Sequence, residues 1–300
     1  MNVQKLDTFG GHRDGVYALE AGPTADSFFS AGGDGMVVRW QLDRPDLGSL
    51  VAQVPASVYA LHYEQDRNRL WVGQNYEGLH LIDPANRVEV GSLKLTNAAI
   101  FDIKQYADTV FVALSDGVVV VLDAQQLAVR RHLKASDQSA RCIAINPVER
   151  ELAVGYSDHQ VRIFDLNTLA LKHTLSAHVN SVFTVAYTPD FQTLITGSRD
   201  ARLKSWDAEQ GYALRQEVVA HMFAINHVTF SPDGQLMATA SMDKSIKIWD
   251  AQTLRLLKVV DRARHAGHGT SVNRLLWSAY QNMLLSASDD RTISVWQVGK

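Results

Sequence analysis

Four histidines each precede an aspartate by 22 residues, and each aspartate precedes a tryptophan by six. The sets are His12, Asp34 and Trp40; His178, Asp200 and Trp206; His221, Asp243 and Trp249; and His268, Asp290 and Trp296. A hydroxyl stands four residues before each aspartate, at Ser30, Thr196, Thr239 and Ser286. Hydroxyl, imidazole and carboxylate are the parts of a nucleophilic triad, in which His takes the hydroxyl proton and Asp holds the imidazole. An enzyme needs one such set, whereas sets recurring at constant spacing mark a repeat architecture. The four copies therefore read as structural, and no catalytic residue is assigned.

Other chemistry has little support. Ala31-Gly32-Gly33-Asp34-Gly35 reads as a hairpin turn, not a phosphate loop, and the chain has no His-Glu-x-x-His, no Gly-x-Ser-x-Gly and no paired cysteines. His265 and His268 form an isolated His-x-x-His, short of the three or four ligands a metal site needs, so neither metal nor other cofactor is expected. The rival reading is an enzyme working at the mouth of a central channel with Asp102, His62 or Arg141.

Composition narrows the class. The 300 residues carry a formal net charge of −3, which gives no global pull toward nucleic acid or an anionic membrane. Neither is expected as a partner. Cys142 is the only cysteine, so no intramolecular disulfide forms and a reducing compartment fits. The first ten residues, MNVQKLDTFG, lack the basic start and apolar stretch of a secretory signal. The aliphatic run Val118–Leu122 is far too short to span a bilayer. These features lead us to expect a cytoplasmic or nuclear protein.

The elements that carry the repeated residues follow from the same register. Ile82, Leu122 and Phe164 fall where the other units have Trp, and each is followed by Asp. Seven anchors thus divide residues 1–300 into units of roughly 43, the length of a four-stranded propeller blade, with no room for a second domain. In the sixth unit, Ile225–Ser231, Leu236–Ser241, Ser245–Trp249 and Leu254–Val260 read as strands, with Pro-Asp-Gly at 232–234 as a turn. The expected class is all-β.

Gly11-His12, Gly267-His268, Ser-Pro-Asp-Gly at 231–234 and Lys-Ile-Trp-Asp at 247–250 resemble the motifs of the WD-repeat (WD40) propeller family. The resemblance is specific in units 1, 5, 6 and 7; register alone places units 2, 3 and 4. It implies a seven-bladed β-propeller of four-stranded antiparallel blades, with His, hydroxyl, Asp and Trp forming a hydrogen-bonded chain inside a blade. A buried Asp needs such partners to offset its lost hydration. The seventh unit supplies only three strands, Val272–Ser278, Met283–Ser288 and Thr292–Val298. Lys5–His12 parallels Lys172–His178, so residues 1–9 are expected to complete blade 7 and leave no open edge.

The family resemblance also places a binding face. The position five residues after the motif His faces the rim of the central channel, and here holds Tyr17, Tyr59, Phe101, Arg141, Phe183, Asn226 and Asn273. Aromatic rings with an Arg are the composition of an interface hot spot. Arg199, Met242 and Asp289, just before the motif Asp, should share that face. The partner-binding residues are read as Tyr17, Tyr59, Phe101, Arg141, Phe183, Arg199 and Met242. The expected function is a non-enzymatic scaffold that captures a peptide or protein, as a monomeric propeller within a complex. The extra residues at 261–267 are expected to form either a long turn or a basic lip on this face, and Arg130-Arg131 a solvated outer surface.

Overall fold

A computed structural model describes residues 1–299. The described residues form seven four-stranded antiparallel sheets arranged as a ring of blades. In six blades the strands follow chain order from the axis outward; blade 1, for example, runs Val16–Ala21, Ser27–Gly32, Met36–Gln41 and Arg44–Gln53. None of the helices described is long and apolar enough to cross a membrane.

Blade 7 differs. Its inner three strands are Val272–Ser278, Met283–Ser288 and Ile293–Gly299, and its outermost is the N-terminal strand Asn2–Phe9. Asn2 pairs with Gly299 and Phe9 with Ile293, so the closure expected from the sequence is present. The strand also ties blade 7 to both neighbours. Phe9 packs edge-on against Phe28 and Trp40 of blade 1, at ring-centroid distances of 5.5 and 5.4 Å. Val3 joins the apolar cluster between blades 6 and 7.

Burial along a blade explains the sequence pattern. Second strands such as Ser27–Gly32 and Met283–Ser288 are buried at every residue, because neighbouring blades cover both faces. They consequently read as unbroken apolar or small runs instead of alternating ones. Outer strands lie where the blades diverge, and Ala213–Val219 is exposed almost throughout. Near the axis the blades converge. There the second strands place Ala31, Gly73, Ala113, Gly155, Gly197, Ala240 and Ala287 opposite the inner strands. A Cβ on Gly197 would come within 2.9 Å of Ile225 in the next blade, so the taper admits only the smallest residues.

Some expected bounds change: in blade 6 the outer two strands are Ile246–Asp250 and Leu256–Val260, because Leu254, with φ 50°, belongs to the turn between them. The third strand of blade 7 starts at Ile293 and not at Thr292, whose hydroxyl donates to Asp290 at 2.6 Å and belongs to the turn. Residues 261–267 are not a plain turn. Arg262–His265 is one turn of helix capped by the Asp261 carboxylate, which accepts from the Arg264 backbone and pairs with its guanidinium at 2.6 Å. Lys5 of the closing strand donates to Ala266 O at the other end of this turn, at 3.0 Å.

Candidate binding site at the channel mouth

The repeated polar residues come together within their own blades. In blade 6, Trp249 Nε1 donates to Thr239 Oγ1 at 2.9 Å, Thr239 Oγ1 lies 2.7 Å from His221 Nε2, and His221 Nδ1 lies 2.8 Å from Asp243. The same chain runs Trp40–Ser30–His12–Asp34, Trp206–Thr196–His178–Asp200 and Trp296–Ser286–His268–Asp290. Indole N–H only donates and a carboxylate only accepts, which sets the direction. The neutral imidazole donates from Nδ1 to Asp, and its Nε2 accepts from the hydroxyl. All four hydroxyl residues are fully buried, each between an indole and an imidazole, so no substrate carbonyl can reach them. The triad-like composition forms a blade brace.

The carboxylates are tuned accordingly. Burial works to raise Asp200, but the His178 hydrogen bond, with backbone N–H groups of Arg202 and Val179, brings it down to about 2. Asp290 is likewise brought to about 2 against its burial, by His268, Thr292 Oγ1 and the Thr292 backbone. Asp243 is held below the usual carboxylate range by His221, Ser245 and the Met222 backbone, again against burial. Burial lowers His221, and Asp243 only partly offsets this.

Blades 2 to 4 depart from the brace. In blade 4, Asp158 accepts from Ser136 at 2.7 Å and pairs with Arg162 at 2.8 Å. Ser136 precedes Asp158 by 22 residues, as the motif His would, and Asp158 precedes the anchor Phe164 by six. Asp116 keeps the same place in blade 3, where it accepts from Val118 N at 3.1 Å. The sequence reading passed over Asp116, Ser136 and Asp158, although the register that found Leu122 and Phe164 also locates them. The Asp that follows each of these weaker anchors has a different role. Asp83, Asp123 and Asp165 each accept backbone N–H groups from the turn into the outer strand. Arg130 pairs with Asp123, so the outer basic pair is only partly a solvated surface.

The channel rim has a common backbone device. In every blade the pairing of the inner strand with the second skips one residue, as between Val16 and Ala18 or Ile100 and Asp102. The skipped residues are Tyr17, Tyr59, Phe101, Arg141, Phe183, Asn226 and Asn273, the seven placed at the rim by the sequence. A bulge re-aims its side chain away from the plane that the ladder imposes. All seven line one cavity of about 430 Å³ together with Arg274.

Side-chain packing links most of this rim. Tyr17 meets Tyr59 edge-on with centroids 5.0 Å apart, and Tyr59 stacks on Phe101 at 6.0 Å. Arg141 lies between the faces of Phe101 and Phe183, its guanidinium carbon 4.1 and 4.5 Å from the ring centroids. Asn226 and Asn273 complete the ring and donate to backbone carbonyls of the next blade, Val272 O at 2.8 Å and Val16 O at 3.0 Å. Burial, then the carboxylates of Asp289 and Asp14, raise the Tyr17 phenol, leaving it a neutral donor at physiological pH. Arg199 and Met242 are exposed near this face but do not line the cavity. Met222 and Phe223, 82% and 56% exposed, extend the apolar surface beside Met242; the sequence reading missed both.

Arg274, the residue after the rim Asn273, was also missed. It reaches from blade 7 to within 3.9 Å of Asp102 on blade 3, and Lys104 approaches the same carboxylate at 3.5 Å. Asp102 also accepts from the backbone of Ile103 and Ile143. Burial, then Arg274 and Lys104, push the half-buried His227 well below its ordinary value, so it stays neutral. The residues of the rival enzyme reading do not converge. Arg141 lines the mouth, Asp102 is buried beneath it, and His62 opens on a separate cavity with Glu64 and Arg67.

Seven four-stranded blades, four of them braced by Trp–hydroxyl–His–Asp chains, define a WD-repeat β-propeller. The WD40 family, described as "WD domain, G-beta repeat", matches residues 3–41, 128–165, 169–207, 213–250 and 261–297. This is well over half of the sequence, and the chain belongs to that family. Among curated proteins no sequence matches. Among solved structures, the WD40 β-propeller domain of Doa1 superposes with a TM-score of 0.87 at 16% identity, covering 99% of this chain and 98% of that one. At that identity the likeness speaks for the fold. WD40 propellers are typically non-enzymatic and generally bind proteins or peptides.

Proposed function

We propose that the protein is a non-catalytic interaction platform that captures a peptide segment of a protein partner at the channel mouth, as a monomeric propeller within a larger assembly. One observation carries this reading. All seven bulged residues converge on one cavity, and five of them are aromatic rings or an Arg held in a continuous stack. Rings already fixed on strands lose little freedom when a ligand covers them, so their burial contributes to affinity with a small entropic penalty. The exposed Met222, Phe223 and Met242 offer a second apolar contact for the rest of the partner. A reducing, cytoplasmic setting is part of the proposal, resting on the single buried Cys142.

The test is affinity capture with mass spectrometry from cells of the source organism. Tyr59→Ala combined with Arg141→Ala should lose the main partner, since truncating hot-spot residues costs about 2 kcal/mol or more, roughly thirtyfold in affinity. Leu47→Ser with Leu171→Ser, on exposed outer-strand positions, should leave capture intact. Loss with the outer pair and retention with the rim pair would move the interface to the side of the ring.

A further inference from the structure

We infer that Arg141 is the anchor for a carboxylate, so that the mouth selects a peptide by an acidic side chain or by its C-terminal carboxylate. This rests on the mouth being a peptide site. The Arg141 side chain makes no hydrogen bond and no ion pair with any described residue; its ring contacts are the faces of Phe101 and Phe183. Every donor of its fork is therefore free, while burial already draws the group below its ordinary value. A guanidinium partly stripped of water and given no counter-charge gains more from an arriving anion than a solvated one does.

The same sandwich argues against a cationic ligand. The aromatic faces that could hold a lysine or arginine of a partner are occupied by the chain's own cation, and a second positive charge there would be repelled. Arg199, exposed on the next blade and near enough to lower Arg141 further, adds to the positive potential. The opposite side of the mouth is negative, with Asp289 held by Asn273 at 2.7 Å and Asp14 near Tyr17. Arg274, the other cation lining the cavity, is turned toward Asp102. One free planar fork facing a rim with carboxylates across it suits a planar monoanion better than a dianionic phosphate.

The probe is a library of random displayed peptides, one half presented with a free C-terminus and one half blocked there. Peptides selected by the wild-type protein should require either an Asp or Glu or the free C-terminus; the two halves distinguish these sources. Changing that acid to its amide should weaken binding by about tenfold or more. In Arg141→Gln the loss from the same amide change should largely vanish, and in Arg141→Lys, which keeps the charge without the planar fork, it should shrink but remain measurable. Melting curves of both variants check folding, and the amide change on wild type needs no variant at all. Peptides that bind without needing an acid, a basic consensus, binding only after phosphorylation, or an amide penalty undiminished in both variants would each overturn the inference while leaving a peptide site at the mouth. A library with no binder above background would overturn the peptide reading as well.

Discussion

The hydroxyl, more than the histidine, is the hub of each blade brace, since it receives the indole proton and supplies its own to the imidazole. Thr239→Val keeps the shape of the side chain but strands the Trp249 N–H and the His221 Nε2 in a buried setting. A buried polar group left without a partner costs about 1–3 kcal/mol, so the variant should be destabilised by about 2–4 kcal/mol in urea unfolding, and Thr239→Ser by much less. Acid should attack the same chains. Asp200, Asp243 and Asp290 have folded values below the ordinary 3.8, so their contribution is complete above that value and lost as pH falls toward about 2. His221 is lowered from 6.5, so its preference for the neutral state is also lost progressively below that pH. The melting temperature should therefore drop steadily from pH 7 to pH 3, and less steeply in Asp243→Asn. A flat profile in wild type would contradict the role given to the braces.

At the scale of the element, the closing strand joins one sheet edge and two apolar seams. Removing residues 2–9 unpairs Ile293–Gly299 and opens the apolar seams filled by Phe9 and Val3, and should cost several kcal/mol with aggregation through the bared edge. An unchanged melting temperature for that truncation would refute the closure. This strand was legible because Lys5–His12 parallels Lys172–His178, each running from a Lys through a Thr and an apolar residue to the motif His. The bulges were not. Their seven residues range from Asn to Phe, and nothing in their types marks a skipped pairing. The helical turn at Arg262–His265 was hidden for a different reason. Extra spacing reports only a longer connection, and its sole local cue is Asp261 capping Arg264 N three residues on. Rim positions could be counted from the motif His, but Arg274 could not be tied to Asp102, because only a closed ring brings blade 7 across to blade 3.

Across the whole molecule, cohesion is uneven. The buried polar atoms without a hydrogen-bond partner include Trp71 Nε1, Asn75 Nδ2, Gln105 Oε1, Tyr156 OH and Arg162 Nη1, all in blades 2 to 4, against Ser294 Oγ elsewhere. The complete braces lie in blades 5, 6, 7 and 1, contiguous through the seam. Hydrogen exchange should show lower opening energies in blades 2 to 4, with second-strand amides there exchanging before those of the braced blades. Equal protection around the ring would mean that aliphatic packing alone sets cohesion. The bulges separate two tasks that most sheets combine. The ladder, the braces and the small residues at the axis hold the ring together, while each side chain at the mouth hangs from a residue the ladder omits. Seven positions can thus be exchanged like characters in a short word without rewriting the frame that displays them. The mouth is an editable label, and libraries randomised at these seven residues should return folded proteins at a far higher rate than libraries randomised at their strand neighbours.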